Sequence, residues 1–263
     1  MAQFVDIDTA KEFMKEALGK VSADELFQIC EDLEEKSRFF QENLGREPIT
    51  VLDEENLRAV FNRIFSIRRK TDRFLDTYGT DQLKVWITEL LYGESPISER
   101  FSGFIRHLKD MESNIRYDVA SELLHYTLPD HYWLWTRWIW DPKTETGSLP
   151  LVITEDYPLK VAGEGEGETY LRIGKALSFV RHVGEAAGFD VIGNNRFGVD
   201  AYLCSVYVVY VYTVLRMRMT QEFNKVMPGL AEFSRRLLGI YKQDAKSDPS
   251  QSDKTDVGNG IKN

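Results

Sequence analysis

Glu122 and His125 are the first pair in this chain whose types and spacing could do chemistry. An E-x-x-H run puts a carboxylate and an imidazole one helical turn apart, the spacing by which di-iron helix bundles hold their metals. Such a centre needs two of these pairs and two further glutamates, and the chain has a single E-x-x-H. His125 is therefore expected at the edge of the Leu123–Leu124 core face with a hydrogen-bond partner. Gly163, Gly165 and Gly167 could suggest a phosphate loop, but Glu164, Glu166 and Glu168 between them would repel phosphate, and the Walker lysine is absent. That run reads as a flexible acidic hinge. Neither G-x-S-x-G nor H-E-x-x-H occurs, and His107, His125, His131 and His182 fall into no recognisable nucleophile–base arrangement. Cys30 and Cys204 stand far apart without a second ligand at metal-binding spacing, so reduced, mostly buried thiols are expected. No catalytic residue, metal or cofactor is assigned, and the reading leans away from an enzyme.

What the chain does offer is a block of aromatics. Four of its five tryptophans, Trp133, Trp135, Trp138 and Trp140, lie within eight residues, beside Tyr132, His131, Asp130 and Arg137. At about 100° per residue, a helix would bring Trp133 and Trp140 within roughly 20° of each other, with Arg137 beside them. Trp135 and Trp138 would then lie on the opposite side, and a strand splits the rings in a similar way. Large aromatics facing both ways are accounted for in two ways. Either the block is central and covered on both faces, or the Trp133/Arg137/Trp140 face is displayed for binding. Tryptophan and arginine are enriched at binding hot spots, and a stacked Arg137 could add about 1 kcal/mol of cation–π attraction. The candidate binding residues are Asp130, His131, Trp133, Trp135, Arg137, Trp138 and Trp140.

The elements that must position this block read as helices. Thr9 with Glu12, and Ser22 with Glu25, form capping boxes, and Gly19 and Gly45 end the helices that follow. Asp53 caps a helix expected to run to about Tyr78, carrying the basic residues Arg58, Arg63, Arg68, Arg69, Lys70 and Arg73. These read as a solvated face, or as a docking patch for an acidic partner. Further helices begin at Asp81, at Ser95-Pro96 and at Asn114, and the last of these leads into the aromatic block after Pro129. Residues 141–168 carry Pro142, Pro150 and Pro158, which forbid a long helix. A connection of that length is usually functional or mobile, and this one is placed to cover the tryptophans or to serve as a docking arm. Helices resume near Thr169 and end near Gly188, resume at 199–219, and resume once more after Pro228. The apolar run Ala201–Leu215 is 15 residues with four tyrosines, short of the roughly 20 that a membrane span needs, so a buried helix is expected.

Length and charge bound the rest. The chain has 263 residues, 43% of them hydrophobic, 29% charged, with a formal net charge of -9. This is ordinary for a globular protein, and the acidic balance argues against general nucleic-acid binding and against an anionic membrane surface. The N-terminus lacks the basic and apolar regions of a signal peptide, which makes cytoplasm the expected location. Residues 243–263 are rich in Ser, Asp, Lys and Gly and are expected to be a disordered tail.

One resemblance covers about 92–132. The order L-L-Y-G, S-P-I-S-E-R-F and A-S-E-L-L-H-Y-T-L-P-D-H-Y resembles, in hydrophobic spacing, the helical scaffold of helix-hairpin-helix DNA glycosylases. The resemblance implies a helical fold and nucleic-acid binding. Where that family's hairpin has glycines, this chain has Glu112-Ser113-Asn114-Ile115, and no lysine or aspartate matches the catalytic pair.

Together these features specify a mainly α, irregular multi-helix bundle of about nine helices. It is expected as one compact helical domain over 1–242, with a long Pro/Gly-containing loop at 141–168. The function expected is a non-catalytic accessory or binding subunit that docks a protein partner through the aromatic block and the adjacent loop. The alternative is an aromatic-walled pocket for a small ligand or cofactor with His131, Asp130 and Arg137 as its polar groups. Helix-hairpin-helix-like nucleic-acid binding comes third.

Overall fold

Side chains at the helix ends set most of the element boundaries. Helix α1 (Ile7–Leu18) opens on Asp6, whose carboxylate accepts from the Thr9 amide at 3.1 Å and the Thr9 hydroxyl at 2.7 Å. The cap thus lies three residues ahead of the expected Thr9–Glu12 box. At α2 (Ala23–Leu44) the Ser22–Glu25 capping box forms in full, and the single turn α3 (Pro48–Val51) follows. The computed structural model describes residues 4–183, 195–218 and 228–240, with side chains to Val214 in the middle segment. Among these residues the chain is mainly α, with eleven α-helices and two isolated bridges in place of strands. The expected tail at 243–263 and the expected helix end near Gly188 lie outside the described residues.

The helix expected from Asp53 to Tyr78 is broken. Asp53 does cap α4 (Glu54–Asn62), accepting from the Asn56 amide at 2.8 Å, but the chain then turns through 63–70 before α5 (Thr71–Tyr78). Folding back lets Phe61 of α4 meet Phe74 of α5 edge-on at 4.9 Å, and seats Ile64 and Ile67 fully in the core. A straight helix would leave Phe61 and Phe74 well apart, so tertiary burial overrides local propensity. Within the basic patch, Arg58 pairs with Glu54 and Asp72, and Lys70 with Glu112.

Helices α6 (Thr80–Tyr92) and α7 (Ile97–His107) form an antiparallel hairpin, followed by α8 (Ser113–Thr127). Every residue of α8 from Tyr117 to Thr127 is buried, and α2, α6 and α7 pack around it. Next in the chain, beyond a short 3-10 turn at Leu149–Leu151 and preceding α9 (Glu166–His182), comes the presumed hinge. Of its glycines, Gly163 and Gly165 stand in open space, and Gly167 serves packing. A Cβ on Gly167 would lie 1.9 Å from the Ser98 carbonyl oxygen, so only glycine lets α9 press on α7 there. Glu164 is held by Arg172, with the Arg172 Nε donating at 3.0 Å. The last two helices are α10 (Gly198–Arg218) and, following Pro228, α11 (Leu230–Leu238).

The 141–168 segment is built into the molecule. Leu149 and Val152 are buried, the Asp6 amide donates to the Val152 carbonyl at 2.9 Å, and Val5 bridges Ile153. It fastens the start of the described chain to the body of the protein. Helix α10 is the buried helix expected of the Ala201–Leu215 run, and no helix among the described residues is long and apolar enough to cross a membrane. Cys30 and Cys204 are free and fully buried, and burial pushes both thiols up to about 12.

Candidate functional site

Helix α8 carries a polar stripe inside an apolar helix. Asp118, Ser121, Glu122 and His125 stand at positions i, i+3, i+4 and i+7, so they share a face, and all four are buried. Most of that stripe is spent on the backbone of the aromatic block. The Arg137 amide donates to Asp118 at 2.9 Å, and the Trp135 amide donates to the Ser121 hydroxyl. His125 Nδ1 donates to the Tyr132 carbonyl at 2.8 Å. Residues 132–137 form neither helix nor strand, and their buried peptide groups find partners in the side chains of α8 instead of in a ladder. His125 therefore has the hydrogen-bond partner expected of it, and Glu122 turns away from it to Lys36.

Backed against α8 in this way, the block sends its rings inward. Trp135 stacks on Tyr117 at 4.4 Å and on Phe101 at 5.9 Å, and Phe101 stacks in turn on Tyr170 at 4.3 Å. Its indole N–H donates to the Trp140 carbonyl at 2.9 Å. Trp135, Trp138 and Trp140 are only 1%, 4% and 2% exposed. A tight return over 141–147 closes the segment, where a Cβ on Gly147 would meet the Ile139 carbonyl oxygen at 2.3 Å. The shared face expected of Trp133, Arg137 and Trp140 is not formed, because an irregular chain lacks the 100° repeat on which that grouping rested.

Trp133 alone of the four is left half-buried. It lines an open-sided cleft of about 250 Å³ with His131, Tyr132, Ile97, Tyr170 and, from α9, Leu171 and Lys175. The cation over its ring is Arg181, 5.9 Å from the centroid, and not Arg137, which is exposed and outside the cleft. Asp130 is also outside, paired to Arg196 at 3.2 Å. Of the three polar groups expected around an aromatic pocket, only His131 lines this one. Sequence reading missed Leu171 and Lys175, one turn apart on α9, and Leu171 is 44% exposed. The signal available was an apolar residue at the edge of the polar face of α9.

Gly174 sets the position of the Trp133 ring. A Cβ there would come to 2.9 Å from Trp133 Cδ1. Gly174→Ala is expected to push the ring outward, at a cost of about 1–3 kcal/mol. Acrylamide quenching should then reach a larger fraction of the tryptophan fluorescence.

The electrostatics of the stripe follow from burial. Burial raises the Asp118 carboxyl well above its ordinary value, against the opposing hydrogen bond from the Arg137 amide. It also raises Glu122 and lowers Lys36, while the attraction between those two works the other way. For His125, burial disfavours the charged ring, but the charge and hydrogen bond of Asp200 with the Tyr132 carbonyl outweigh it and leave the imidazole above its ordinary value. These groups position the segment; none of them lines the cleft. Comparison with protein-family models, curated proteins and solved structures finds no match.

Proposed function

We propose that the protein is a non-catalytic binding or accessory subunit whose recognition site is the Trp133 cleft, and that its partner presents an apolar side chain beside acidic residues. The observation that carries this reading is the half-buried Trp133 on the cleft wall, with Lys175 and Arg181 around it and three sister tryptophans sealed away. Size favours a side chain over a cofactor. A volume of about 250 Å³ lies under the roughly 300–1,000 Å³ of ordinary small-molecule sites. Tryptophan offers a broad apolar wall of the kind that anchors a partner's side chain. Lys175 supplies the one full positive charge among the lining residues, in a chain whose net charge is -9. An acidic neighbour of the anchor is complementary to it, and this attraction weakens as salt rises.

A randomised peptide library selected on the purified protein tests the reading. Enriched sequences should carry Phe, Trp or Leu flanked by Asp or Glu, and should lose binding to Trp133→Ala. Lys175→Glu should shift the selection toward basic flanks. Enrichment of basic sequences on the natural protein, or selected peptides indifferent to both variants, would overturn it. Trp133→Ala leaves the backbone there anchored, since the Tyr170 hydroxyl donates to the Trp133 carbonyl at 3.0 Å.

A further inference from the structure

Tyr132 and Trp133, two of the aromatics that wall the Trp133 cleft, belong to no helix, so their positions rest on the side chains that hold them. The Tyr132 hydroxyl accepts from Arg100 Nη2 at 2.9 Å, and the Tyr132 carbonyl accepts from His125 Nδ1 at 2.8 Å. The Trp133 carbonyl accepts from the Tyr170 hydroxyl at 3.0 Å and from the Ser121 hydroxyl at 3.4 Å. Among guanidinium, phenol, aliphatic hydroxyl and imidazole, only the imidazole ordinarily changes its protonation near neutral pH. His125 is 3% exposed and lines no part of the cleft, so it acts there only through the backbone.

What the ring can donate depends on its charge. Its Nε2 faces Asp200 Oδ2 at 2.9 Å, so an acceptor stands at each nitrogen, and bonding both takes two N–H groups. The neutral ring keeps one. A bond to an ionised carboxylate is stronger than one to a neutral carbonyl, so the remaining proton stays on Nε2. A nitrogen lone pair then faces the Tyr132 carbonyl, which is left without its donor. The side that gives way is the segment carrying Tyr132 and Trp133, because it borders the open cleft while Asp200 is buried on α10.

Asp200 of α10 is the anion acting on the ring, and Lys36 of α2 is the cation that opposes it. Glu122, one turn back on α8, is turned to Lys36 at 2.7 Å. The remaining neighbours are uncharged near neutral pH. Tyr126 and Phe197 meet the ring edge-on at 5.0 and 5.4 Å, and burial raises the Tyr126 hydroxyl and the thiols of Cys30 and Cys204. Burial works against the charged imidazole, but Asp200 and the Tyr132 carbonyl outweigh it and leave His125 above its ordinary 6.5.

We infer that His125 is a positioning residue that makes the Trp133 cleft proton-sensitive, holding the Tyr132 carbonyl when doubly protonated and releasing that wall when neutral. This rests on the reading of the cleft as the recognition site. The held wall is the form present on the acid side, and binding weakens as the ring loses its proton. By linkage, a partner that fits the held wall raises the proton affinity of a histidine it never touches.

The test uses the full chain carrying 5-fluorotryptophan, with the Trp133 signal identified by its loss in Trp133→Phe. In fluorine NMR that signal should titrate between pH 6 and 9 with a midpoint above 6.5. His107, His131 and His182 are all exposed, so changing the three to Gln leaves His125 as the sole histidine with the core untouched. The titration should persist in that variant and vanish in His125→Gln. A Trp133 signal that stays constant, that titrates in His125→Gln, or that stops titrating in the sole-histidine variant overturns the inference. The sole-histidine variant keeps the test decisive if His125→Gln fails to fold. A peptide selected at the cleft should bind this variant about tenfold more weakly at pH 9 than at pH 6, the equivalent of one lost hydrogen bond in the wall. Equal binding at the two pH values overturns it as well. Because the fluorine signal needs no partner, a Trp133 ring that titrates through His125 while no peptide is selected sinks the recognition reading and leaves the proton dependence of the wall standing.

Discussion

Lys36→Met is expected to destabilise the protein by about 3–5 kcal/mol, the cost of leaving a buried charge without its partner. Lys36 Nζ donates to Glu122 at 2.7 Å and to the Leu238 carbonyl at 2.8 Å, and it lies 4.0 Å from the centre of the Tyr126 ring. It thereby joins α2, α8 and the C-terminal end of α11, where Gly239 turns the chain at a φ of 70°. Methionine fills the space of the stem but supplies no donor, so Glu122 and the Leu238 carbonyl both lose their partner. The deficit should depend on pH with a defined sign. Burial already holds Glu122 above its ordinary 4.5, and losing Lys36 removes what opposed that rise. A carboxyl with a raised folded-state value favours the fold below its unfolded value and loses that contribution as pH rises through the folded value. The variant should therefore lie closest to the natural protein near pH 4.5 and fall further behind toward neutrality, in urea unfolding at each pH.

The double variant Lys36→Met with Glu122→Leu separates charge from shape. With both ions gone, most of the loss should return, because a buried ion pair contributes little over well-packed apolar groups. Recovery should stop short by about 1–3 kcal/mol, the cost of the Leu238 carbonyl left without a donor. Full recovery would mean that water reaches that carbonyl. No recovery would mean that the pair itself specifies how α2 meets α8.

What could be read from the sequence follows the range of the interaction. The Ser22–Glu25 and Asp53 caps act within three residues and are legible as letters. The buried character of α10 is legible from its composition. The fold-back between α4 and α5 depends on Phe61 meeting Phe74, thirteen positions away, and no local signal marks it. The aromatic block is the sharper case. Its rings were expected on two faces of a regular element, yet residues 132–137 follow the polar stripe of α8 and take whatever direction those hydrogen bonds leave them. That stripe was present in the sequence as Asp118, Ser121, Glu122 and His125. Its E-x-x-H portion alone yields only a rejected metal spacing and a hydrogen-bonded His125, whereas the spacing of all four suggests a rail for a neighbouring backbone. Trp135 is covered by Tyr117 and Phe101, which lie eighteen and thirty-four positions upstream. Separations of that kind carry no periodic signature.

His125 should give the protein a stability that declines from mildly acidic toward alkaline pH. Its Nδ1 faces the Tyr132 carbonyl at 2.8 Å and its Nε2 faces Asp200 Oδ2 at 2.9 Å. A carbonyl oxygen can only accept, and so can an ionised carboxylate, so satisfying both requires an N–H on each ring nitrogen. The neutral ring has one. If it stays on Nδ1, a lone pair faces the Asp200 carboxylate; if it moves to Nε2, the Tyr132 carbonyl is orphaned. The charged groups acting on the ring are Asp200 from α10 and Lys36 from α2, and with the Tyr132 carbonyl their net effect leaves His125 above its ordinary 6.5 despite burial. A raised histidine contributes stability that is fully present below 6.5 and is lost as pH rises through its folded value. His125→Gln, which can still donate one N–H to Asp200 or to Tyr132, should remove this slope between pH 6 and 9 and cost about 3–5 kcal/mol at pH 6, where the natural pair is intact. The measurement is the urea midpoint of both proteins across that range. Parallel curves would show that the proton is held elsewhere, whereas convergence at high pH would place it on the ring that joins α10 to the backbone of the tryptophan block.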